Sequence, residues 1–172
     1  MNEIVVREAT PKDAQRIAQI HVGTWQCAYR GQIPDSYLDN LSVEDRTKSW
    51  KKQLKDLGEG VFAIVAEIDG RVVGWCTFGK NRDEDVSDDI GELHGIYVDA
   101  EFIGKGAGSA MNEEVVKRLK ELGYKQATLW VLDTNKKTRG FYENKGWRVE
   151  GRKKDDVRDG FTLHEVRYVI DL

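Results

Sequence analysis

The sequence is poor in residues that staple, break or anchor a chain. Among its 172 residues it has two cysteines and two prolines. Cys27 and Cys76 lie far apart, with no C-x-x-C pair and only His21, His94 and His164 as further soft ligands. Neither a disulfide framework nor a zinc site fits, so both thiols are expected to be reduced and no metal is expected. The longest fully apolar run, Val61 to Ala66, has six residues, against the roughly 20 of a membrane-spanning helix. A membrane span is not expected. The N-terminus carries an early Glu3 and no apolar block after a basic stretch, which does not read as a secretory signal and points to the cytoplasm. Excess basic charge is absent too. Lysine and arginine total 27 against 30 acidic residues, a net charge of -3, the wrong sign for a domain that lives on phosphate contacts with nucleic acid.

What the chain does have is one domain's worth of alternating patterns. A length of 172 residues suits a single domain over residues 1–172 with its own core. Ile4 to Arg7 reads as a strand. Thr10-Pro11-Lys12-Asp13 then opens a helix with a capping hydroxyl, a proline in the first turn and an acid. Ala14, Ile17, Ala18, His21, Trp25, Ala28 and Tyr29 form one stripe at helical spacing, broken by Gly31 and Pro34. Ser42 and Asp45 start a second helix. Val61 to Ile68 and Arg71 to Phe78 flank Asp69-Gly70 as a hairpin. A strand from Glu92 to Val98, interrupted by Gly95, leads to the glycine-rich turn of Gly104, Lys105, Gly106, Ala107 and Gly108. A helix to Leu122, a strand from Gln126 to Leu132, a short helix from Asn135 to Lys145 and a closing hairpin, Trp147 to Arg152 and Phe161 to Ile170, complete the order. The tally is mixed α/β (α+β), an antiparallel meander followed by one parallel, right-handed β-α-β unit.

The segment with the sharpest chemistry is Gly104-Lys105-Gly106-Ala107-Gly108-Ser109. Following a strand and opening a helix, its glycines let backbone N–H groups converge on an anion at a helix N-terminus. A P-loop would need Lys followed by Ser or Thr after a second glycine, and a dinucleotide fingerprint would need an acid about 20 residues on; neither frame fits. Arg82 to Asp89 carries five carboxylates in eight residues, which reads as a solvated loop, with an acidic mouth that gathers cationic amines as the sharper alternative.

With VDAEFIGKGAGSAM after one strand and NKKTRGFYENKGW after the next, the chain resembles the GNAT superfamily of acetyl-CoA-dependent N-acetyltransferases, in a subgroup with Trp25, AYRG and Pro34 in its first-helix region. The resemblance spans the chain. It implies a mostly antiparallel sheet of about seven strands with a splayed parallel central pair, flanked by about four helices. It also implies that acetyl-CoA binds, with its pyrophosphate on the backbone of Ile103, Gly104, Lys105, Gly106, Ala107, Gly108 and Ser109. Ile103 stands where the family has Gln or Arg, which removes a side-chain contact. The pantetheine arm would lie along Ile96, Tyr97 and Val98, held by Asn135, with Tyr142 facing the sulfur as general acid.

Read without the family, Asn135 is a helix cap and Tyr142 a core aromatic. Glu92 occupies the strand position where many GNAT members carry a general base, and strand alternation puts His94 on the same face as a reserve. A free Glu has a pKa near 4.3 and an alkylammonium near 10, so Glu92 needs a raised pKa or a water relay. Trp25, Tyr29 and Tyr37 fall where the family roofs its acceptor site; as plain helix aromatics they would be core. The acceptor is then an amine on a small molecule, a peptide or a protein, and a homodimer is compatible with the pattern. The competing reading is a non-catalytic acyl-CoA sensor or a protein-interaction domain.

Overall fold

The structure, a computed structural model, describes residues 3–172. Seven strands form one sheet in the order β1-β2-β3-β4-β5-β7-β6. They are β1 (Ile4–Glu8), β2 (Val61–Ile68), β3 (Arg71–Lys80), β4 (Ile90–Val98), β5 (Gln126–Leu132), β6 (Arg148–Arg158) and β7 (Phe161–Asp171). The helices are α1 (Ala14–Tyr29), α2 (Asp35–Asp39), α3 (Val43–Gln53), α4 (Ala107–Glu121) and α5 (Lys136–Asn144). The chain divides into two compact units, residues 1–77 with 96–114, and residues 78–95 with 115–172.

In the first unit, Pro11–Asp13 forms a 3₁₀ turn in which Asp13 Oδ2 accepts from the Thr10 N–H at 2.7 Å, and α1 begins at Ala14. The turn is tied down by Arg7, which reaches Asp13 and Glu67 of β2. Ala14, Ile17, Ala18 and Ile20 of α1 pack with Trp50 and Leu54, Ala63 and Val65 of β2, and Val72 and Trp75 of β3. Ala28, placed on the buried stripe by its spacing, is exposed. The α3 cap is as the sequence suggests, Ser42 Oγ accepting from the Asp45 N–H at 3.1 Å. Asp69 and Gly70 both take positive φ, 51° and 76°, as a two-residue hairpin turn matched to the strand twist requires.

In the second unit, β7 pairs antiparallel with β5 on one side and β6 on the other. Leu119, Ala127, Leu129, Tyr142, Trp147, Val166 and Tyr168 are buried. β6 is longer than its polar composition suggests. Lys153 to Arg158, which reads as turn, pairs residue by residue with β7 from Val166 to Phe161, and the exposed edge position lets charged side chains stand in water on a strand.

The parallel pair is short. β4 meets β5 at Ile90–Gln126, Gly91–Ala127 and Glu92–Thr128, and the ladder stops there although β4 runs on to Val98. This is the splay that the resemblance implies. No helix among the described residues is long and apolar enough to cross a membrane.

Candidate active site

The first unit carries the glycine turn and the N-terminus of α4. Asp99 Oδ1 accepts from the Glu101 N–H at 3.1 Å and its backbone N–H donates to the Val73 carbonyl at 2.8 Å. Arg16 of α1 holds the Asp99 carboxylate and donates from Nε to the Val72 carbonyl at 2.8 Å. The chain is thereby fixed where β4 turns toward Ile103. Gly104 and Gly106 then adopt φ of 82° and 95°. The first α4 hydrogen bond runs from Ala110 N–H to the Gly106 carbonyl, so the amides of Ala107, Gly108 and Ser109 have no acceptor within the helix. A Cβ at Gly104 would meet nothing within 4 Å, which leaves room for a phosphate against the backbone. These residues fit a pyrophosphate. Ile103 is 49% exposed beside them.

The same unit gathers aromatic rings around His21. Its ring centroid lies 6.2 Å from Trp25, 6.2 Å from Trp50, 5.4 Å from Trp75 and 5.8 Å from Tyr97. Trp25 packs edge-on to Tyr29 at 4.7 Å, and Tyr37 is half-buried on α2. Trp25 and Tyr29 are thus brought together; Trp50, Trp75 and Tyr97 join them from α3, β3 and β4. The alternation of β3, which puts Trp75 on the face opposite Cys76, is the signal that could have found it.

The second unit holds the β4 carboxylate. Glu92 is 1% exposed. Its Oε2 accepts from the Arg82 backbone N–H at 2.9 Å, and the Arg82 guanidinium donates from Nη2 to Oε1 at 2.7 Å and from Nε to both oxygens at 3.1 and 3.2 Å. Burial pushes the Glu92 pKa up, but the Arg82 hydrogen bonds and charge outweigh it, and the carboxyl lies below its ordinary range. The raised pKa that a solitary Glu base calls for is therefore not what the arrangement produces. His94 shares the face as strand alternation requires, its Nε2 3.6 Å from Glu92 Oε2 and 3.1 Å from the Lys80 carbonyl. Arg82 and Lys80 carry no motif that marks them in the sequence.

Asn135 caps α5, its Oδ1 accepting from the Thr138 N–H at 3.1 Å. Tyr142 is 4% exposed, its ring 5.3 Å from Phe141 and 6.1 Å from Trp147. The acidic loop is held as well as solvated. Arg167, 4% exposed, binds Asp85 bidentately at 2.8 and 3.0 Å, Glu150 at 3.0 Å and Asp83 at 3.1 Å. Trp130 Nε1–H donates to Asp83 Oδ2 at 2.9 Å. Among the described residues no three His, Cys, Asp or Glu side chains group as a metal site.

Two features, a parallel pair whose ladder ends early and a glycine turn that opens a helix, are those of an acyltransferase fold, and sequence comparison agrees. The pattern of the Acetyltransferase (GNAT) family matches residues 18–147, and the chain belongs to that family. It is 35% identical over 133 residues to the uncharacterized N-acetyltransferase YuaI of Bacillus subtilis, covering 77% of this chain and 73% of the relative. It is 31% identical over 166 residues to the L-amino acid N-acetyltransferase AaaT of Escherichia coli, covering 93% of each. The PaiA N-acetyltransferase of Thermoplasma acidophilum, solved with coenzyme A, superposes with a TM-score of 0.73 over 99% of both chains at 18% identity.

Proposed function

We propose that this N-acetyltransferase moves the acetyl group of acetyl-CoA to a primary amine by direct attack. The observation that carries the reading is the glycine turn from Gly104 to Gly108, held by Arg16 and Asp99, with unpaired amides at the head of α4. Those amides would take the pyrophosphate, Ile96, Tyr97 and Val98 would offer backbone to the pantetheine arm, and Asn135 would steady it. Acetyl-CoA supplies a thioester whose carbonyl carbon the amine can attack. A base on β4, Glu92 or His94, removes the ammonium proton, and Tyr142 gives a proton to the departing sulfur. Trp25, Tyr29 and Tyr37 would line the acceptor's approach. The coenzyme A in the PaiA structure and the amine acceptor in the AaaT name support the reading.

A panel of amines with acetyl-CoA, followed by free thiol release, is the test. Amine-dependent thiol release supports transfer. Tight CoA binding without turnover on any amine would instead make the chain a sensor.

A further inference from the structure

The two acid–base groups on β4 do not stand in equivalent places. Glu92 is the last β4 residue paired with β5, opposite Thr128. It is sealed at 1% exposure, and its oxygens are occupied by Arg82. A carboxylate so engaged has little lone-pair capacity left for a substrate proton. His94 is the next residue on that face and the first beyond the end of the ladder, where β4 leaves β5.

Its tautomer follows from its partner. The Lys80 oxygen 3.1 Å from Nε2 is a backbone carbonyl, which can only accept, so Nε2 carries the hydrogen. The lone pair is therefore on Nδ1. Glu92 Oε2, 3.6 Å from the same Nε2, is placed to stabilise the positive charge that the ring gains when Nδ1 takes a proton. This is the logic of a carboxylate behind an imidazole base.

We propose that His94 Nδ1 is the proton acceptor for the acetyl transfer, and that Glu92 is its positioning partner. The proposal rests on the acetyltransfer reading above. In the step, the amine nitrogen forms a bond to the acetyl carbon and the carbon–sulfur bond breaks. The ammonium proton passes to His94 Nδ1 before the neutral amine adds. The sulfur then leaves with the bonding pair and takes a proton from Tyr142, and the second proton that the nitrogen loses on becoming an amide balances the one Tyr142 gives up. No electron changes hands otherwise.

The charged groups acting on His94 are Glu92 of its own strand and Arg82 from the segment after β3, while the β5 residue at the ladder end, Thr128, is uncharged. Burial lowers the His94 pKa below its ordinary value, Glu92 raises it and Arg82 lowers it, and the net is a depression. The ring is neutral, and able to accept, at physiological pH.

The test compares His94→Ala, His94→Gln and Glu92→Gln across pH with an amine that the wild type acetylates, after circular dichroism and CoA calorimetry show that each variant folds and binds. Wild-type turnover tests the acetyltransfer reading; the variants test the base. The two His94 variants should lose about 10² to 10⁴-fold in kcat/KM near neutrality and recover as pH approaches the amine's own pKa. Added imidazole should restore part of the activity of His94→Ala. Glu92→Gln should lose less and move the acid limb of its pH profile downward, because the group that raises the His94 pKa is gone. Wild-type kcat/KM in a folded His94→Ala or His94→Gln enzyme overturns the proposal, as does loss in Glu92→Gln to the same floor with rescue by formate and none of His94→Ala by imidazole.

Discussion

Trp50 donates its indole N–H to Nδ1 of His21 across 3.3 Å. An indole nitrogen cannot accept, so the bond fixes His21 as the tautomer with hydrogen on Nε2 and opposes protonation of Nδ1. Burial, helped by the Arg46 charge, pushes the His21 pKa down to about 4.

A stability consequence follows with a definite sign. The unfolded histidine titrates near 6.5, so the native state holds fewer protons from pH 6.5 down to about 4. The stabilisation is complete above the unfolded pKa and is lost as pH falls toward the folded one. Between about pH 7 and pH 4.5 this group alone should cost about 2 kcal/mol. Denaturant titration at the two pH values should show that loss in the wild type and a smaller one in His21→Gln. Equal losses would remove His21 as the source.

The glycine turn makes a binding prediction. Gly106 takes φ of 95°, and a Cβ there would meet Ile4 Cδ1 at 3.0 Å. Gly106→Pro, which removes an N–H and cannot adopt that φ, and Gly108→Val, which sets a branched side chain where the phosphate would approach the backbone, should each lose about 10 to 100-fold in CoA affinity. Ile103→Arg should bind as tightly or tighter. Calorimetry reads all three; wild-type affinity in both glycine variants would place the pyrophosphate elsewhere.

Tyr142 makes a kinetic one. A phenol has an ordinary pKa near 10 and is a proton donor at neutral pH, and phenylalanine keeps the ring that packs against Phe141 and Trp147. Tyr142→Phe should lower kcat by about 10² to 10⁴-fold with little change in acetyl-CoA affinity. Normal kcat, with chemistry shown to limit turnover, would return Tyr142 to the core.

Arg167 makes a structural one. Arg167→Met removes the cation that three carboxylates share. A fully enclosed pair costs about 3 to 5 kcal/mol when one partner is lost. Asp85 and Glu150 are 38% and 32% exposed and can rehydrate, so about 2 kcal/mol is expected here by denaturant unfolding. Because Asp83 and Asp85 already answer Arg167, neutralising them should change stability more than the salt dependence of kcat/KM.

Turn chemistry and periodicity made most of the fold readable. Asp69-Gly70, Ser42 with Asp45, and the bounds of β5 follow from residues within a few positions of one another. The closing hairpin was harder, because the Lys153–Arg158 strand is stabilised by its pairing with β7 and not by any apolar alternation of its own. α2 is a five-residue helix, too short for a period to register. In the site, Glu92 and His94 could be put on one face by counting. What could not be counted is that Arg82, ten residues from Glu92, folds back to occupy it, since long-range ion pairs have no local signature.

The last strand of the sheet also decides how the molecule behaves in a crowd. β6 exposes nearly all of its residues, presents lysine, arginine and aspartate along its rim, and loses register with β7 between Val149 and Lys153, where Gly151 takes φ of 109°. A kinked, highly charged margin is a poor template for another chain's backbone. Newly made copies meeting edge to edge at β6 would find a regular run only from Lys153 to Arg158, beyond the kink, and there the charged side chains oppose pairing.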